Sequence, residues 1–191
     1  CDAVNVFSYK NITVVFEDEY LLAASKPANL LVHGDGTGSL TLTDLVAEHL
    51  AAEGRGDVRP QAAQRLDVET TGLVLFSLDP ATQPALDAEV AGRDMRKEYL
   101  AVVAGRFPWA QKAIDAPIGR DRHDARRMRV SATGQAALTE VTRLGVFAPD
   151  GRGGLAPCPP AGDAPRGRAP APGRYSLKEV TLGNGRRHQN R

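Results

Sequence analysis

Cysteine is nearly absent from this chain. Cys1 and Cys158 are the only two, too few and too far apart for a disulfide framework or a metal knuckle, and compatible with a reducing compartment. Long apolar runs are missing as well. No stretch reaches the roughly 18 consecutive apolar residues that a membrane helix needs. The N-terminus has neither the basic flank nor the apolar stretch of a secretory signal, so the expectation is a soluble, cytoplasmic protein with no membrane partner. Net charge is also small. With 24 Lys and Arg against 23 Asp and Glu, the formal charge is +1, which on its own argues against a dedicated polyanion binder. The average conceals an uneven distribution: residues 1–92 carry 5 basic side chains against 14 acidic ones, and residues 93–191 carry 19 against 9. The second half is therefore equipped to meet a phosphate backbone, and the first is not.

A length of 191 residues with 42% hydrophobic content suits one globular unit. The chain opens on Cys1 rather than Met, which reads as a processed or partial chain. Residues 1–11 read as an N-terminal linker. Ile12–Phe16 and Tyr20–Ala24 are short apolar runs around the acidic Glu17-Asp18-Glu19, a hairpin signal. Lys26-Pro27 ends the second run, because proline cannot donate to a ladder. Leu42, Leu45, Val46 and Leu50 then fall on one face of a helix that starts near Thr41 and closes at Gly54. Leu73–Phe76 is a buried-strand candidate. Asp79-Pro80 predicts a helix start, with Asp as cap and Pro in the first helical position, running to about Ala91. Glu98–Val103, Ala137–Thr142 and Tyr175–Leu182 read as strands, the latter two by period-two alternation. Residues 148–174, rich in Pro and Gly, read as a mobile surface loop joining two paired strands. Strands outnumber helices, so the class is α+β.

Chemistry concentrates in Gln64-Arg65-Leu66-Asp67-Val68-Glu69-Thr70-Thr71-Gly72. A carboxylate sits between an arginine and two threonines, and a glycine lets the backbone turn into the following strand. Loop-to-strand junctions display catalytic groups from a rigid sheet. An Arg-x-Asp before a strand also serves as a local ion pair or turn cap, and residue types alone leave both readings open.

The passage resembles the catalytic motif of the RluA-like pseudouridine synthases, His-Arg-Leu-Asp, two variable residues, then Thr-Ser/Thr-Gly. Four further segments resemble the same family in the same order: Lys26-Pro27-Ala-Asn-Leu-Leu-Val-His33; Lys97-Glu98-Tyr99-Leu100-Ala101; Ala116-Pro117-Ile118-Gly119-Arg120 through Gln135–Glu140; and Gly185-Arg186-Arg187-His188-Gln189-Asn190-Arg191. The resemblance implies a pseudouridine synthase catalytic domain over 12–191, with a mixed, mainly antiparallel sheet and flanking helices. It also implies further strands after the last motif, so that on this reading the domain is incomplete at its C-terminus.

The activity implied is isomerisation of a uridine in ribosomal or transfer RNA, with the base flipped from its stack. Redox chemistry, metal and cofactor have no part in it, and a monomer is expected. Asp67 is the implied nucleophile, which must be ionised to act. Arg191 is its implied ionic partner. Tyr99 is implied to stack on the target base and is a candidate to take the proton from carbon 5; the competing reading is a half-exposed strand tyrosine. Arg65 resembles the arginine that fills the space of the flipped nucleotide. Arg120, Arg122, Arg126, Arg127 and Arg129 form an arginine-rich arm, either a solvated face or phosphate contacts. Arg186 and His188 belong to the last motif as RNA-side residues. Neither His33 nor His188 has a second ligand at metal spacing, and Lys26 carries no derivable role. Gln64 stands where the family has histidine, keeping hydrogen bonding without titration. Arg187 and Asn190 stand where it has a small hydroxyl and an aliphatic residue, and Asn190 needs a polar partner or solvent. The rival reading is a catalytically impaired RNA-binding remnant of the family. A carboxylate-based nucleoside hydrolase is more distant, because Glu69 alone is a poor second carboxylate.

Overall fold

Strands supply most of the regular structure of this chain, and the computed structural model describes residues 7–9, 12–92, 95–121, 123, 127–158 and 173–183. The chain divides into two compact units, Cys1–Asp94 and Met95–Arg191. The division falls where the charge changes sign along the sequence.

In the first unit, β1 (Phe7–Tyr9), β2 (Ile12–Glu17) and β3 (Leu21–Lys26) are followed by α1 (Leu42–Ala52), β4 (Gln61–Ala62), β5 (Gly72–Ser77) and α2 (Gln83–Ala91). The sheet order is β1-β2-β3-β5-β4, with every ladder antiparallel. The acidic turn expected between the first two apolar runs joins β2 to β3, and the Asp18 carboxylate accepts from the amides of Tyr20 and Leu21. Val14, Ala24 and Val74 lie opposite one another, as do Leu22 and Phe76, and all five are fully buried. α1 buries Leu42, Leu45, Val46, His49 and Leu50 on one face. Its start is a capping box: Thr41 accepts from the Asp44 amide while the Asp44 carboxylate accepts from Thr41. Gly54, at φ +81°, ends it as expected.

α2 begins later than the sequence suggests. Asp79 heads a turn rather than capping a helix: its carboxylate accepts from the Ala81 amide, and its carbonyl from Thr82. Ser77 ties that turn to β5 through its hydroxyl, which meets both the Asp79 carbonyl and Thr82. Proline does occupy the first helical turn, but it is Pro84 and not Pro80.

The second unit comprises β6 (Lys97–Ala104), β7 (Gln111–Asp115), β8 (Ile118–Arg120), β9 (Met128–Val130), β10 (Leu138–Pro149), β11 (Leu155–Pro157) and β12 (Tyr175–Leu182). β10 is the centre of its main sheet, flanked by β12 on one side and by β7 and β11 on the other, with β6 beyond β12. The expected pairing across the 148–174 segment is present as the antiparallel β10–β12 ladder. That segment is not all loop, because Leu155–Pro157 folds back as β11 onto Phe147–Pro149. β8 and β9 form a separate two-stranded ribbon.

Candidate active site

Asp67 stands on a tight turn between Leu66, which is buried, and Val68. The Thr70 amide closes the turn on the Asp67 carbonyl. Gly72 then enters β5 at φ +137°, a conformation that a side chain would strain. The Val68 carbonyl is the fixed point of this loop. It accepts from the Asn29 amide at 2.8 Å and from the Lys26 ammonium at 2.9 Å. Behind the turn, the Gln64 side chain reaches the Leu73 carbonyl, so the residue standing in place of histidine does retain a hydrogen bond.

Lys26, which the sequence did not explain, supports this turn. It occupies the buried face of β3, two and four residues after Ala24 and Leu22, and is itself fully buried. Its three ammonium protons go to the carbonyls of Pro27, Leu30 and Val68 at 2.8–2.9 Å. Burial pushes its pKa below the ordinary lysine value, and the neighbouring Asp67 carboxylate works against that shift. One side chain thus joins the 26–33 segment to the Asp67 turn. The available signal was the period: Leu22, Ala24 and Lys26 share a face.

The same segment leads to His33 and Arg65. Backbone bonds from Leu42 to Leu31 and from Thr43 to Val32 hold it against the start of α1. The Thr43 hydroxyl donates to the Val32 carbonyl and lies 3.4 Å from His33 Nδ1, so its oxygen can accept from that nitrogen when the nitrogen carries the proton. An open cleft of about 580 Å³ is lined by His33, Gly34, Gly36, Gly38, Ser39, Thr41, Thr43 and Asp44. Burial first, and the Arg65 guanidinium second, lower the His33 pKa. On unfolding the ring recovers its ordinary 6.5; acid below that value is bound first by the unfolded chain and costs stability until the folded ring also titrates. Proton NMR should therefore give His33 a midpoint below 6.5, and Arg65→Gln should raise it part of the way back. A midpoint unmoved by Arg65→Gln would show that the guanidinium does not act on the ring.

Tyr99 lies on β6 opposite Val180, half-buried. Of the arginine-rich arm, Arg120 and Arg129 flank the β8–β9 ribbon, and Arg127 precedes β9; all three are exposed. Arg120 pairs with Met128, and Arg129 with Gly119, so Arg120 and Arg129 project from opposite faces of the ribbon. Compact spacing in sequence does not place the guanidinium groups on one surface. Arg122, Arg126, Arg186, His188 and Arg191 lie outside the described residues.

The described residues hold one cluster with metal-ligand character, Glu17, His49 and Glu53, whose ligand atoms lie within 4.8 Å of one another. His49 Nε2 is 2.7 Å from Glu17 Oε2, while Arg55 donates to Glu17 Oε1 at 2.9 Å. A guanidinium already neutralises the carboxylate that a cation would need, and the network reads as a tie between β2 and α1.

The model of the RNA pseudouridylate synthase family matches residues 20–191, nearly the whole chain. The chain belongs to this family. RluA-like relatives are among its matches: the ribosomal large subunit pseudouridine synthase D of Xanthomonas campestris is 36% identical over 67% of this chain and 38% of its own length. The Bacillus subtilis protein YhcT, described as an uncharacterized RNA pseudouridine synthase, is 30% identical over 96% of this chain and 53% of its own. Among solved structures, human RNA pseudouridylate synthase domain containing 1 shares the fold with a TM-score of 0.71 at 20% identity, over 97% of this chain and 64% of that one. The mainly antiparallel α+β architecture implied by the sequence is thus the architecture of the pseudouridylate synthase fold. The chain spans about half the length of the first two curated relatives it matches.

Proposed function

We propose that the chain carries the catalytic centre of an RNA pseudouridine synthase acting on a uridine of ribosomal or transfer RNA, with Asp67 as nucleophile. The observation that carries this reading is the Asp67 turn, in which a carboxylate is held by backbone and buried-lysine bonds to its neighbour Val68 at the position of the family's catalytic motif. In the reaction the bond from ring nitrogen 1 to the ribose breaks and the ring turns. A bond from carbon 5 to the ribose then forms, carbon 5 releases a proton and nitrogen 1 gains one. Atoms balance without an oxidant, a reductant or an energy source. A carboxylate can bond reversibly to either the ribose or the ring during this exchange.

In this reading Tyr99 stacks on the target base and accepts the carbon 5 proton, and Arg191 pairs with Asp67 to keep it ionised. Arg65 fills the space of the extruded nucleotide, which offsets the few kcal/mol of unstacking that base flipping costs. The arm arginines Arg120, Arg122, Arg126, Arg127 and Arg129, together with Arg186 and His188, supply backbone contacts that position RNA without reading its sequence. The relatives named for the ribosomal large subunit make its RNA the first substrate to examine.

The test maps pseudouridine across ribosomal and transfer RNA by carbodiimide-dependent primer extension, in cells with and without the full gene. At least one stop should vanish on deletion and return on complementation. If the two maps are identical, the enzymatic reading fails.

A further inference from the structure

We propose that the β6–β7 loop and the start of β7, on the Tyr99 side of the second unit's main sheet, form a second RNA contact, in which Trp109 stacks an unpaired base and Lys112 meets its phosphate. This rests on the RNA-modifying reading above and adds a subsite remote from the target uridine.

The strand register supports it. Residues directly opposite in antiparallel ladders share a face, so Tyr99, Val180, Val141 and Lys112 form one row across β6, β12, β10 and β7. Lys97, Leu182 and Thr139 make the row on one side of it, and Ala101, Lys178 and Arg143 the row on the other. This face therefore carries Lys97, Lys112, Arg143 and Lys178, all half-buried, around the buried Thr139, Val141, Val180 and Leu182, and no carboxylate at any of these paired positions. The reverse face carries Glu98, Asp115, Glu140 and Glu179, and no cation at the paired positions. Arg143 and Lys178 are direct cross-strand partners, a like-charge placement that works against stability and suits an anionic ligand.

The aromatic groups sit on the cationic face. Lys112 Nζ lies 3.6 Å from the Trp109 ring centroid, and Lys178 Nζ lies 4.0 Å from that of Phe107. Phe107 meets Trp109 edge-on, with centroids 5.2 Å apart. The β6–β7 loop bearing both rings is pinned: Ser176 accepts from the Phe107 amide and donates to the Gly105 carbonyl, and Arg143 donates to the Phe107 and Ala110 carbonyls through its side chain and amide respectively. Trp109 nevertheless remains 40% exposed. A fixed, exposed indole beside lysine is the combination by which proteins hold single-stranded nucleic acid, the ring taking a base and the cation the backbone. Lys112 lies three strands from Tyr99, about 14 Å at the usual interstrand spacing, so the base in question is not the target itself.

Trp109 is the only tryptophan of the chain, so its fluorescence reports on this site without any substitution. The probe is a uridine-containing stem-loop oligoribonucleotide, with binding followed in parallel by anisotropy of an end label. Binding should quench Trp109 in step with the anisotropy change. Trp109→Ala should weaken binding roughly 5- to 100-fold, as loss of one stacked base does. Lys112→Gln should lower the salt slope by about 0.7, one phosphate contact, and Glu179→Gln on the reverse face should change neither. The proposal is overturned if RNA binds without altering Trp109 emission, if Trp109→Ala binds as tightly as wild type, or if a fully paired duplex quenches as strongly as the stem-loop. Pseudouridine maps that depend on the gene, combined with any of those results, would leave the enzyme standing and remove only the subsite.

Discussion

Asp67→Asn should reduce pseudouridine formation on the order of 10⁴-fold or more, the scale seen when a covalent nucleophile is removed, while leaving the fold intact. Asparagine has the shape of aspartate. The Thr70 amide donates to the Asp67 carbonyl, and the Asn29 amide and Lys26 ammonium donate to the Val68 carbonyl, so main-chain acceptors hold the turn with either side chain present. The amide cannot supply the negative charge needed to attack and then leave. The change should appear in single-turnover release of tritium from carbon 5 of labelled uridine in RNA, with the thermal midpoint close to wild type. An asparagine variant within tenfold of the wild-type rate would remove Asp67 from the nucleophilic role.

Lys26→Met should produce the largest loss of stability. Methionine matches the length of the lysine stem but leaves the carbonyls of Pro27, Leu30 and Val68 without the donor they share. Unsatisfied buried acceptors, and bonds to a charged donor, each carry a substantial cost. About 3–5 kcal/mol is expected in all, the range found when one member of a buried charged group is removed. Denaturant unfolding measures it directly, and a midpoint equal to wild type would refute it.

The pH dependence provides a second readout with a definite sign. Burial lowers the folded pKa of Lys26 below the ordinary 10.5, so between the lowered value and 10.5 the unfolded chain binds more protons than the folded one. Wild-type stability should gain an increment as pH rises through that interval, and Lys26→Met should lack it. The folded fraction of the variant should also turn over more slowly, because Val68 loses one of the two bonds that position the residue beside Asp67.

Much of the architecture was legible where side chains alternate or repeat on a helical face. Ile12 and Val14 marked β2, and Leu42, Leu45, Val46 and Leu50 marked α1, because burial on one side imposes a period. The short strands were not legible. Gln111–Asp115 and Met128–Val130 have no strong alternation of their own and are strands because of their partners, β10 for the first and β8 for the second. The helix start was misplaced because Asp-Pro serves a turn as well as a cap, and the hydroxyls of Ser77 and Thr82 decided for the turn.

Within the site, the Asp67 motif was legible as a pattern, but its support was not. The Lys26 bond to Val68 spans 42 residues, and the period that places Lys26 on the face of Leu22 and Ala24 does not name its partners. Trp109 was equally hidden, since neither loop spacing nor residue type reveals which lysine will lie over the ring. In the arginine run, the ribbon register that puts Arg120 and Arg129 on opposite sides is not visible in their spacing.

The two-sided charge of the second sheet bears on how a polyanion would arrive. Cations on one face and carboxylates on the other nearly cancel at a distance, so the sheet attracts little from afar. At physiological ionic strength fields fade over about 8 Å, and only within that last layer does the approaching chain distinguish the faces. There the two sides differ in access as well as in sign: Thr139, Val141, Val180 and Leu182 of the lysine side are buried, while the carboxylate side leaves Leu100 and Val102 exposed. The open side of this sheet is thus the one that would repel a phosphate chain, and on the lysine side the reach of such a chain narrows to the β6–β7 loop, where Trp109 is exposed.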